Sequence, residues 1–83
     1  MPSKRLPRDL AAAQLIHALS RLGYEVVRQS GSHMRLRTAR DGEHSITIPF
    51  HNPLKIGTLS AILSDIALHH QLSRDELLEF LGL

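Results

Sequence analysis

The chain has 83 residues and a mass of 9.3 kDa, room for one small domain and not for two. Hydrophobic residues make up 42% and charged residues 22%, which excludes extensive disorder, and no apolar run approaches the roughly 20 residues of a membrane-spanning helix. The absence of Cys excludes disulfides, thiolate zinc sites and cysteine nucleophiles, and the net charge of +2 hides an asymmetry: nine of the ten Lys/Arg residues precede Leu59, while half of the eight acidic residues follow Thr58. A basic body with an acidic tail points to a polyanion as partner of the body.

Residues 1–8 hold two prolines and three basic residues and read as an N-terminal arm, leaving residues 9–83 as a single domain. The basic lead-in has neither the apolar core nor the small-residue site of a secretory signal, so the cytoplasm is the expected compartment, with no membrane partner. Asp9 is placed to cap a helix running to about Leu22, with Ala12, Leu15, Ile16, Leu19 and Leu22 on one stripe and Gly23 as its left-handed end.

Three short strands are predicted next: Tyr24–Gln29, His33–Thr38 and His44–Pro49. Faces constrain their register, because a one-residue slip inverts every side chain. Three-residue loops at Ser30-Gly31-Ser32 and Arg40-Asp41-Gly42 collect Tyr24, Val26, Met34, Leu36, Ile46 and Ile48 on one face. They place Val26 opposite Leu36, Leu36 opposite Ile46 and Met34 opposite Ile48, with Gly42 in the left-handed position of a bulge. The other face then carries His33, Arg35 and Arg37 in a row beside Ser45 and Thr47.

After a loop over residues 50–57, a second helix is predicted from Thr58, with Leu59, Ile62, Leu63 and Ile66 as its buried stripe. His69-His70-Gln71 reads as a connector. Ser73 and Glu76 form a capping box for a last helix to about Leu81, with Leu77, Leu78 and Leu81 inward. The expected fold class is α+β, a two-layer sandwich in the order α-β-β-β-α-α, with a three-stranded antiparallel sheet and one sheet face uncovered.

Of six histidines, His33 stands out, because it starts a strand whose outward positions continue with Arg35 and Arg37. A histidine among guanidinium groups suits in-line cleavage of RNA: the imidazole accepts the 2′-hydroxyl proton or donates one to the leaving 5′-oxygen, and the cations stabilise charge building on phosphorus. Arg28, Arg35, Arg37 and Lys55 are candidate phosphate contacts. Ser32 and His51 are accessory candidates, His51 being better suited to capping its loop or to a hydrogen bond. His17 and His44 read as solvated or flanking residues. His69 and His70 point apart on a helix without a supporting ligand cluster, so no metal and no cofactor is expected. Two other readings stay open on these residues, a non-catalytic RNA-binding module and a protein-interaction module. One Tyr, two Phe and no Trp supply a surface of stacked aromatics poorly.

The stretch Leu22-Gly23-Tyr24-Glu25-Val26-Val27-Arg28-Gln29-Ser30-Gly31-Ser32-His33 resembles the HicA (YcfA-like) toxin family, with its Leu-Gly-aromatic followed by Arg-Gln-x-Gly-Ser-His. Pro49-Phe50-His51 is similar to the family's Pro-x-His, and Lys55-Ile56-Gly57-Thr58-Leu59-Ser60-Ala61-Ile62-Leu63 to its Lys-x-Gly-Thr-Leu-x-x-Ile-Leu. The resemblance spans about residues 9–67. It implies a fold like the double-stranded-RNA-binding domain, metal-independent cleavage of mRNA with His33 as the catalytic residue, and a HicB-like antitoxin that covers the active face.

Overall fold

The computed structural model describes residues 5–83. The first half of the expected arm, residues 1–4, lies outside the described residues. Helix α1 (Ala12–Leu19) runs into a 3-10 turn at Ser20–Leu22. Strands β1 (Glu25–Ser30), β2 (His33–Thr38) and β3 (His44–Pro49) follow, then helices α2 (Ile56–His70) and α3 (Arg74–Leu81). The strands form one antiparallel sheet in the order β1-β2-β3. The α+β class and the element order are those expected.

Helix α1 starts later than the sequence suggests. Asp9 adopts a left-handed backbone (φ 57°), and Ala11 is the capping residue. The Ala12 amide is satisfied instead from residues some forty positions on, by the Asn52 side-chain oxygen at 3.2 Å and the His51 carbonyl at 3.3 Å. A tertiary contact replaces the local cap, and local spacing cannot reveal it. At the other end Gly23 closes the turn at φ 79°, as expected. A Cβ there would lie 2.9 Å from Thr38 Oγ1, whose hydroxyl donates to the Leu22 carbonyl. Gly23→Ala therefore meets both the left-handed penalty of about 1–2 kcal/mol and a steric one. A melting temperature lower by at least roughly 4–8 °C is the expected calorimetric result.

The β2–β3 register is the one predicted, with Leu36 opposite Ile46 and Met34 opposite Ile48, and Gly42 is left-handed (φ 97°). The β1–β2 connection differs. Ser30 pairs with His33, so the turn has two residues, Gly31 and Ser32, not three. Gly31 (φ 58°) takes the first central position, where a tight hairpin turn favours glycine. A bulge between Val26 and Arg28 absorbs the extra residue; the pair Val26–Leu36 comes out as expected, with Glu25 opposite Arg37. The bulge turns Arg28 over: it pairs with Arg35 on the outer face. In the unbulged register it would have opposed Met34 on the inner one.

Tyr24, Leu36, Thr38, Ile46 and Ile48 are buried under the helices, with Met34 partly so. Val26 is 43% exposed, because β1 is an edge strand beyond the helical cover. Leu15 and Leu19 of α1, Leu59, Leu63 and Ile66 of α2, and Leu77 and Leu78 of α3 are fully buried, each contributing on the order of 1.5–3 kcal/mol of apolar burial. Helix α2 begins at Ile56 with Lys55 as its cap, two residues before the expected start, and runs through His69 and His70. Gln71 is its left-handed end at φ 56°. The two histidines therefore form the last turn of a helix and not a connector. Ser73 accepts from the Glu76 amide and Glu76 accepts from the Ser73 amide, which completes the capping box of α3.

Candidate functional site

Alternation along β2 puts His33, Arg35 and Arg37 on the uncovered face, all three exposed and successive members about 6–7 Å apart along the strand. Arg28 joins them across the β1–β2 ladder, opposite Arg35, and Thr47 and Ser45 of β3 lie opposite Arg35 and Arg37. Among the described residues no side chain hydrogen-bonds the His33 ring or the Arg28 and Arg35 guanidinium groups. Arg37 differs. It forms an ion pair with Glu43 at 2.9 Å and lies opposite Glu25, so its charge is largely matched. That hydrogen bond holds the Glu43 carboxyl below its ordinary range. The positive field of the face is therefore concentrated at the end nearer His33.

Ser32 and His51 flank that end. The Phe50 amide donates to the Ser32 carbonyl, and Pro49 is the cross-strand partner of His33. His51 is exposed and uses its carbonyl to cap α1. Lys55 is placed elsewhere. It lines a groove of about 560 Å³ with Arg5, Leu6, Arg8, Asp9, Pro53, Leu54 and Ile56, at the junction of the N-terminal segment and the start of α2. The structure thus groups His33, Arg28, Arg35 and Arg37 on one face, Ser32 and His51 at its edge, and Lys55 in a neighbouring groove.

A second constellation has no counterpart among the sequence expectations. Tyr24, His44 and His70 meet under the far end of the sheet. The Tyr24 hydroxyl lies 2.7 Å from His44 Nδ1 and 3.0 Å from His70 Nε2. His70 Nδ1 reaches Asp41 at 2.9 Å, His44 Nε2 reaches Asp65 at 3.2 Å, and His69 stacks on His44 with ring centroids 4.4 Å apart. His69 Nε2 in turn meets the Arg40 and Gly42 carbonyls at 3.1 and 2.9 Å. The Tyr24 hydroxyl thus bridges two imidazole rings, each of which meets a carboxylate through its other nitrogen. Burial, reinforced by the charge of Asp65, pushes the Tyr24 hydroxyl far above its ordinary value. Tyr24 is 20 residues from His44 and 46 from His70 in sequence, and no spacing rule joins them.

Asp41 gives this network an acid-sensitive end. The hydrogen bond from His70 holds its carboxyl below the ordinary range; desolvation opposes this, and the charges of His70, Arg40 and His69 assist. The Ser73 amide and hydroxyl act likewise on Glu76. A carboxyl lowered in the folded state contributes stability above its unfolded value, about 3.9 for Asp and 4.3 for Glu, and loses it as pH falls through the folded value. Urea unfolding midpoints are expected to fall below about pH 4. Asp41→Asn should flatten part of that fall.

Among the described residues, no three His, Cys, Asp or Glu side chains form a metal-binding group, and no helix is long and apolar enough to cross a membrane. The molecule is thus a small α+β domain that presents a cationic, uncovered sheet face. A family profile described as HicA toxin of bacterial toxin-antitoxin matches residues 12–68, more than half of the chain. The chain belongs to the HicA toxin family, and a toxin of such a system has an antitoxin as its partner. No curated protein and no solved structure matches the chain.

Proposed function

We propose that this toxin is an endoribonuclease that cleaves mRNA without a metal or cofactor, using His33 as its general acid–base group. One observation carries the reading: an exposed imidazole stands in line with Arg35, which itself lies opposite Arg28, and none of these three side chains has a hydrogen-bond partner among the described residues. In the in-line reaction His33 takes the proton of the ribose 2′-hydroxyl as its oxygen bonds to phosphorus, the bond from phosphorus to the 5′-oxygen breaks, and that oxygen takes up a proton from solvent. Arg35 and Arg28 bind the non-bridging oxygens and stabilise the charge that develops there. Arg37, already paired with Glu43, and Lys55 in its groove bind flanking phosphates, and Ser32 and His51 bound the site at its edge. A HicB-like antitoxin is the partner proposed to cover this face, and the cytoplasm, where mRNA is met, is the proposed compartment.

The test is incubation of the purified protein with RNA in EDTA. Shortened products with 2′,3′-cyclic phosphate and 5′-hydroxyl ends support the reading. Intact RNA bound in a salt-dependent way would instead make the protein a non-catalytic RNA-binding module.

A further inference from the structure

The positive side chains of the described residues fall into two groups. Arg37 pairs with Glu43, Arg40 donates to the Arg21 carbonyl and lies over the Phe80 ring, Arg21 donates to the Phe80 carbonyl, and Arg74 holds Ser60 and Ser64. Among the described residues, Arg5, Arg8, Arg28, Arg35 and Lys55 make no such bond. Two of these five, Arg28 and Arg35, lie beside His33. The other three line one groove against a single acidic residue, Asp9.

The groove is a built feature. Hydrogen bonds from Leu54 N to the Leu10 carbonyl at 2.8 Å and from Ala12 N to the His51 carbonyl tie Leu10 and Ala12 to the loop after β3, and Leu6 packs against the core. That loop leaves β3 at Pro49, the cross-strand partner of His33, and the Phe50 amide is tied to Ser32. A short stretch of chain, residues 50–52, therefore joins the His33 end of the sheet to the loop side of the groove. Its walls include Leu6, Pro53 and Ile56, and Ile56 is 46% exposed although apolar. Cations above an apolar wall suit a nucleotide, with phosphate on the charges and base against the wall.

We propose that this groove is a subsite for a nucleotide flanking the scissile phosphate, so that the toxin holds a single-stranded RNA segment extending from the sheet face onto Arg5, Arg8 and Lys55. The inference rests on the nuclease reading and deepens it. A stacked duplex keeps its bases from such a wall, which selects unpaired RNA. Arg5 and Arg8 precede the family match at residue 12, so this part of the site belongs to the segment ahead of the family domain.

The test uses His33→Ala as background, so that RNA is bound without being cut, with a fluorescein-labelled single-stranded RNA oligonucleotide read by fluorescence anisotropy over a range of salt. Adding Arg5→Gln and Arg8→Gln is expected to weaken binding and lower the slope of log affinity against log salt by about 1.4, or about 0.7 for each single-strand phosphate that the protein no longer neutralises. Arg5→Lys with Arg8→Lys, which keeps the charges, should retain most of the slope. Circular dichroism confirms that each variant is folded. An unchanged affinity and slope in the glutamine variant overturns the subsite while leaving the nuclease reading intact. So does a variant that keeps RNA binding and loses only its complex with an antitoxin protein, since the groove then serves the protein partner. If wild-type protein neither binds nor cuts RNA, the nuclease reading fails first and the subsite with it.

Discussion

His33→Ala is expected to abolish growth arrest on induction and to slow RNA cleavage by about 10²–10⁴-fold, the range supplied by a positioned acid–base group. The fold should survive. The ring is exposed and has no side-chain partner among the described residues, and surface changes of that kind usually move stability by no more than about 0.5 kcal/mol. A variant with wild-type circular dichroism and melting, but without products, is the expected result. Arg35→Ala and Arg28→Ala should each cost less, because either guanidinium still faces the phosphate when the other is removed. Arg37→Ala should cost least, since Glu43 already compensates that charge. Measuring kcat and KM separately sharpens the comparison: loss of an interaction made only in the transition state lowers kcat and kcat/KM together. Undiminished cleavage by His33→Ala would remove His33 from the mechanism.

The cationic face was legible because strand alternation needs no long-range information. Met34, Leu36 and Thr38 against His33, Arg35 and Arg37 fix the two sides of β2, and the matching pattern of Ile46 and Ile48 fixes the register of β3. The place of Arg28 was legible only by residue type. Its arrival opposite Arg35 depends on the bulge at Val27, and a stretch of exposed edge strand carries no hydrophobic pattern to reveal one. The start of α1 was hidden for a related reason: Asp9 has the chemistry of a cap, but Asn52 and His51 reach the Ala12 amide first. The histidine cluster was hidden most deeply. His69 and His70 do diverge on their helix, as helical geometry requires, yet the sheet end wraps around both, so that His69 meets the β2–β3 turn and His70 meets Tyr24.

Tyr24→Phe isolates what that cluster contributes. The ring is 2% exposed, so phenylalanine fits the same space, and the change deletes one hydroxyl. His70, whose side chain is 1% exposed, then keeps its bond to Asp41 and loses the partner of its other nitrogen. An unsatisfied buried polar group costs about 1–3 kcal/mol. In a domain of this size each kcal/mol is worth roughly 4–8 °C in melting temperature. Tyr24→Ala also removes a buried aromatic side chain, for about 3–5 kcal/mol more. At about 0.05–0.15 kcal/mol per residue, the whole domain has only on the order of 4–12 kcal/mol to lose, so this variant should be largely unfolded at 37 °C. Phenylalanine should leave catalysis in place below its melting temperature, because Thr38, the partner of His44, is five residues along β2 from His33, about 17 Å at 3.3 Å per residue. A Tyr24→Phe protein that melts with the wild type would show that the hydroxyl adds no net stability. One that stays folded but stops cutting RNA would tie the two ends of the sheet together, against the separation of a fold-holding histidine cluster from a reactive histidine at the opposite end.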